Sequence, residues 1–225
     1  MIHFTGDIHG EQDRFTDKML KYGEAEWNEN DYLLIGGDFG MIFLDNLDER
    51  LFLDYLAQKP YTICFCDGNH ENFPALYSYP KETWNGGRIH RIRHNVIHLM
   101  RGQVFTIDGK KIFTMGGAYS RDKYMRFEGL SWWKEELPNK YEYDEAIANL
   151  RENNYEVDYI LTHTAPRKII YAMHKTPDSH DMELTGFFDW IYFDVKYKKW
   201  FFGHWHLDEQ IDEKHHALRY DVVDV

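Results

Sequence analysis

Five short apolar runs in this chain each lead to a short island of His, Asp or Asn, four of the five carrying Gly. Ile2-His3-Phe4-Thr5 enters Gly6-Asp7-Ile8-His9-Gly10, and Tyr32-Leu33-Leu34-Ile35 enters Gly36-Gly37-Asp38. Tyr61 to Cys66 leads to Gly68-Asn69-His70-Glu71, Tyr159-Ile160-Leu161 to Thr162-His163-Thr164, and Trp200-Phe201-Phe202 to Gly203-His204-Trp205-His206. Apolar runs of this length, ended by Gly, read as buried strands. Loops that leave the carboxyl ends of parallel strands gather along one edge of an α/β sheet. The islands are therefore expected to share one pocket, and imidazoles, carboxylates and an amide converging there point first to a metal site.

The elements between the islands support this. Glu11 to Tyr22 places Phe15, Met19, Leu20 and Tyr22 near one helical face, and Asn46 to Ala57 does the same with Leu47, Leu51, Phe52, Tyr55 and Leu56, capped by Asn46 or Asp45. Strand-helix alternation implies parallel pairing with right-handed crossovers. Val96–Leu99, Val104–Ile107 and Ile112–Met115 read as a meander in a second sheet, the last two joined by a tight Asp108-Gly109 hairpin. Helices are expected at 141–152 and 183–197, and closing strands at Gln210-Ile211 and Tyr220 to Val223. Tyr119 to Pro138 is rich in Trp, Tyr, Arg and Lys without a clean period, which marks a long pocket-shaping loop; Gly116-Gly117 would turn it towards the site. The 225 residues, 43% hydrophobic, suffice for one sizeable core, so a single domain over residues 1–225 is expected.

A formal charge of −12 opposes binding to duplex nucleic acid or an anionic membrane, while bound divalent ions would still draw an anionic substrate to the pocket. No apolar run is long enough to span a bilayer, and no basic-then-apolar leader opens the chain, so the cytoplasm is expected. Cys64 and Cys66 point to one face of a strand and read as core thiols. Candidate ligands offer nitrogen and oxygen but no thiolate, which suits manganese, iron or zinc. Asp7 and His9 flank one residue, as do His204 and His206; Asp38 between these sets can give one carboxylate oxygen to each of two ions. His215-His216 reads as an exposed turn, Trp132-Trp133 as packing before substrate stacking, and Arg88, Arg91, Arg93 and Arg101 as a solvated face.

The ordered set D-x-H, G-D, G-N-H-E, a lone H and G-H-x-H, spanning residues 7 to 206, resembles the calcineurin-like metallophosphoesterase superfamily. The resemblance implies an α/β fold, a four-layer α-β-β-α double β-sandwich of mixed sheets flanked by helices. It implies a dinuclear centre in which Asp7, His9 and His206 hold one ion, Asn69, His163 and His204 the other, and Asp38 bridges. His70 matches the residue that contacts substrate and protonates the leaving group. The implied activity is hydrolysis of phosphomonoesters or phosphodiesters, nucleotides among the candidates, by a metal-activated hydroxide. The first and third motifs look like the branch of Ser/Thr phosphoprotein and dinucleoside polyphosphate phosphatases. That branch continues its second motif as G-D-x-x-D-R-G, whereas Asp38 here is followed by Phe39-Gly40-Met41-Ile42. The Asp that would orient the His and the Arg that would grip phosphate are absent, so Arg121, Lys123 and Arg126 in the long loop are the candidates for the clamp. A non-catalytic binding protein on the same scaffold is the other reading; the presence of every ligand and of His70 favours an enzyme. A metal-free nucleotide binder is disfavoured, since no phosphate-cradling Gly-rich motif is present.

Overall fold

Period-two alternation in the strands sorts the side chains into three apolar layers. In a computed structural model, which describes residues 1–18 and 22–225, β1 (Ile2–Thr5), β2 (Tyr32–Ile35) and β3 (Thr62–Phe65) pair in parallel. Ile2, Phe4, Leu34 and Cys64 point into a layer with Phe105, Ile112, Tyr159, Leu161 and Phe201; Leu33, Ile35, Ile63 and Phe65 point the other way. The latter face is covered by α1 (Leu47–Leu56), whose first turn is capped when Asn46 accepts from the Glu49 amide. A short α2 (Phe73–Tyr77) follows.

Next come β4 (Lys81–Trp84), β5 (Gly87–Arg91), β6 (Val96–Leu99), β7 (Gln103–Ile107) and β8 (Lys110–Met115). After α3 (Lys140–Glu152), β9 (Tyr159–Thr162), α4 (Arg167–Ala172), α5 (Met182–Asp194) and β10 (Lys199–Phe202), the short β11 (Glu209–Gln210), β12 (His215–Ala217) and β13 (Val223–Asp224) close the sheets. Among the described residues one sheet runs β13-β1-β2-β3-β6-β5-β4 and the other β11-β12-β10-β9-β8-β7. Ile160, Trp200, Phe202, Phe113 and Met115 face α3, α4 and α5, which complete the outer layer of the second sheet. The sandwich is thus helix, sheet, sheet, helix, and both sheets are mixed. No helix among the described residues is long and apolar enough to cross a membrane.

Several expectations change. Val96–Leu99 belongs to the first sheet, parallel to β3, and only the hairpin β7–β8 lies in the second. Between β4 and β5 an Asn85-Gly86 turn, with φ of 49° and 93°, closes an unforeseen hairpin; such a turn needs the left-handed region at both positions. His215-His216 is not an exposed turn but β12, where His215 is buried between Asp212 and the Tyr197 hydroxyl. Arg101 is not on a solvated face: it is buried and ion-paired with buried Asp67, while Arg88, Arg91 and Arg93 form surface pairs with Glu145, Glu82 and Asp54. The expected closing strand at Tyr220 to Val223 is shorter and later, and α5 stops at Asp194 because the chain turns extended at Val195. In the first expected helix, Arg14–Lys18 form a short π-type turn, and its Met19 and Leu20 lie outside the described residues. Cys64 and Cys66 are buried free thiols.

Candidate metal centre

Parallel strands deliver the islands to one edge. Asp7 and His9 follow β1, Asp38 follows β2, Asn69 and His70 follow β3, His163 follows β9, and His204 and His206 follow β10. His9, Asp38, His204 and His206 all have positive φ, between 47° and 67°. Four non-Gly residues in this costly region, all candidate ligands, are held there by the surrounding packing. The two loops lock together where the Ile8 and His9 amides donate to the Asp38 carbonyl. Close approach explains the glycines: a Cβ on Gly203 would fall 2.0 Å from Asp7 Oδ1, and one on Gly68 2.0 Å from Asp38 Oδ1.

All seven expected ligands lie together, in two groups. Asp7, His9 and His206 present donor atoms within 4.8 Å of one another. His206 Nε2 is 3.1 Å from Asp7 Oδ2 and 3.0 Å from His9 Nε2. The second group centres on Asn69 Oδ1, which lies 3.0 Å from both His163 Nε2 and His204 Nδ1. Asp38 reaches both groups, its Oδ2 being 3.6 Å from His9 Nε2 and 3.4 Å from His163 Nε2. Asp7 and Asp38 are buried, and among the described residues imidazole nitrogens rather than a lysine or arginine face their carboxylates. Buried carboxylates ringed by nitrogen and oxygen donors fit divalent cations, and each donor is oriented from behind. Gly36 O lies 2.7 Å from His163 Nδ1 and turns its Nε2 inward, while the Asn69 amide nitrogen donates to Ser120 Oγ and leaves its oxygen facing the two imidazoles.

Burial and closely set charges shift the titration of these groups in opposite directions. Burial opposes ionisation of Asp38, but His163, His70 and His9 outweigh it and hold its carboxyl well below the usual range. Burial opposes charge on His163 too, yet Asp38 and Asp7 lift it to about 10. Burial, then the neighbouring His163, press His204 well below the ordinary imidazole value. An ion bound through His163 Nε2 must therefore displace a proton.

His70 stands beside these groups. Its amide donates to Asp38 Oδ1 at 2.7 Å, and Arg126 Nη2 lies 3.5 Å from its Nε2. Arg126 is held by Asp122 at 2.7 Å and by the Ser131 carbonyl. Burial lowers the His70 pKa, Asp38 opposes that, and Arg126 adds to it. Of the other expected clamps, Arg121 donates to the Thr176 carbonyl and sits 3.6 Å from Asp178, and Lys123 is paired with Glu136. Trp133 is buried edge-on to Phe43, a packing role, whereas Lys123 lies over the ring of Trp132.

Sequence reasoning missed the supports. Ser120 orients Asn69, Glu71 accepts from the Phe39 amide beside Asp38, and Arg101 clamps Asp67 two residues before Asn69. Only Glu71 had a signal, as the last letter of G-N-H-E. Asp181 also went unnoticed: its Oδ1 accepts from the Tyr119 amide at 2.7 Å. Burial raises its pKa from 3.8 to about 6. Unfolded, this carboxyl ionises near pH 4, so stability falls as pH rises from about 4 to 6 and the loss is complete above that window. Asp181→Asn keeps an acceptor oxygen and removes the charge. It should add about 1–3 kcal/mol at pH 7.5, with the gain fading towards pH 4, measured by urea unfolding at both pH values.

A family model described as calcineurin-like phosphoesterase matches residues 1–208. A search of curated proteins returned no match.

Proposed function

This chain belongs to the calcineurin-like phosphoesterase family, a family of metal-dependent phosphoester hydrolases, and on that premise we propose that it hydrolyses phosphomonoesters or phosphodiesters at a binuclear centre. The observation that carries this reading is the convergence of seven donors in two groups that share Asp38. Asp7, His9 and His206 would hold one divalent ion, Asn69, His163 and His204 the second, and Asp38 both. Bound there, the ions supply Lewis acidity towards phosphoryl oxygens and lower the pKa of water.

The chain's own groups do the rest. His70 Nε2 gives its proton to the departing ester oxygen, since an alkoxide without one is a poor leaving group. An arriving phosphate favours the imidazolium that burial and Arg126 disfavour in the resting protein. Arg126, fixed by Asp122, is placed to meet a phosphoryl oxygen beside His70. In this reading residues 119–138 shape the pocket of a single domain, with Ser120 supporting the centre and Arg121 and Arg126 near its mouth. A phosphorylated small molecule or nucleotide is the fitting substrate.

The test is hydrolysis of a panel of phosphate monoesters and diesters by protein loaded separately with manganese, iron or zinc. Activity should vanish with a chelator and return with the metal. Chelator-resistant hydrolysis, or none with any metal on any ester, would refute the proposal.

A further inference from the structure

His70 lies between two clefts. One, of about 500 Å³, is lined by His9, Met41, Phe43, Leu44 and Arg126 together with His70. The other, of about 240 Å³, is lined by Asn69, Tyr119, Arg121, Trp205 and His206, again with His70. His9 borders the first and His206 the second, and their Nε2 atoms are 3.0 Å apart, so the divide passes through the candidate metal centre itself. A phosphate seated on this divide has room for a substituent on each side.

The charges of the two clefts narrow the substrate further. A monoester arrives near neutral pH mainly as a dianion, a diester as a monoanion. The arginines lining the clefts already face carboxylates, Arg126 with Asp122 and Arg121 with Asp178. Asp48 and Glu49 line the larger cleft and Asp122 the smaller. The Glu49 carboxylate accepts from the Phe43, Leu44 and Asp45 amides, which fix it in place at that wall. Such walls repel a second phosphate charge more than they repel a substituent with none. The larger cleft also offers apolar surface: Leu44 is 69% exposed, and Phe43 beside it is only partly buried.

We infer that the preferred substrate is a phosphodiester whose two substituents occupy the two clefts on either side of His70, an apolar or aromatic one against Phe43 and Leu44. This rests on the phosphoesterase reading above. One ester P–O bond breaks, one P–O bond to a water oxygen forms, and a proton ends on the departing oxygen. The products are an alcohol and a phosphomonoester. Once that monoester loses its second proton, the same acidic walls favour its release.

The test compares bis(p-nitrophenyl) phosphate with p-nitrophenyl phosphate on manganese-loaded protein, for the wild type, Leu44→Ala and Tyr119→Ala. A diester spanning both clefts must feel both changes. Each variant should lower kcat/KM on the diester about tenfold, chiefly through KM, whereas the monoester, with a single substituent, should lose comparably in one variant at most. Equal losses on both esters in both variants, or a wild type that prefers the monoester, would overturn the diester assignment while leaving a phosphoesterase. A metal-loaded wild type that hydrolyses neither ester would overturn both readings.

Discussion

Replacing His70 with Asn should slow hydrolysis of an alkyl phosphate ester by about 10²–10⁴-fold, the usual contribution of a general acid, and slow a nitrophenyl ester of the same type far less. Nitrophenolate departs without a proton; an alkoxide does not. His70 is suited to this role because its Nε2 faces Arg126 at the rim of the clefts, while its backbone amide is tied to Asp38. The comparison needs metal-saturated protein, since loss of metal would slow both esters alike. An equal fall on both, with chemistry shown to limit the rate, would mean that His70 positions phosphate or supports the centre and moves no proton.

Arg101→Met should cost about 3–5 kcal/mol of stability, the range expected when one partner of a buried ion pair is removed. Arg101 is 3% exposed and Asp67 fully buried, and both Nε and Nη2 of Arg101 donate to Asp67 Oδ2, at 2.7 and 2.5 Å. Burial alone would raise the Asp67 pKa, yet Arg101 and His98 outweigh it and bring it down to about 2. Its stabilising contribution is thus present above about pH 4 and lost as pH falls through about 2. Without Arg101 that buried carboxylate would be left with His98 beside it among the described residues. Arg101 also donates to the Glu135 and Glu136 carbonyls, so the variant should loosen the end of the 119–138 segment. Adding Asp67→Asn should recover part of the stability by removing the stranded charge. Urea unfolding of the single and double variants measures both effects; a loss below about 1 kcal/mol in the single variant would contradict this assignment.

The candidate site was legible in the sequence because its residues are local to strand ends. Asp7, Asp38, Asn69, His163 and His204 each follow an apolar run by a few residues, and parallel pairing does the rest. The orientation of those ligands was not legible. Ser120 meets Asn69 across 51 positions and Arg101 meets Asp67 across 34, and no local pattern announces a pairing made by the fold. In the fold, helix faces and strand alternation showed through, while sheet membership did not. Val96–Leu99 has the same apolar look whether it pairs with β3 or with β7. The β4–β5 hairpin did carry a local sign, Asn85-Gly86, which was eclipsed by the arginines around it. β12 was hidden because His215 looks polar, yet Asp212 and Tyr197 satisfy both of its ring nitrogens and let it be buried.

The most direct test is a count of metal per chain, made on the same sample whose hydrolysis is assayed. The account predicts about two divalent ions per wild-type chain, ~3.5–4 Å apart in a metal-loaded crystal structure with Asp38 between them, and activity that rises with occupancy. Asp38→Asn should bind fewer ions and lose far more activity than stability. A fully active chain that carries no metal, or ions bound away from Asp38, would contradict it.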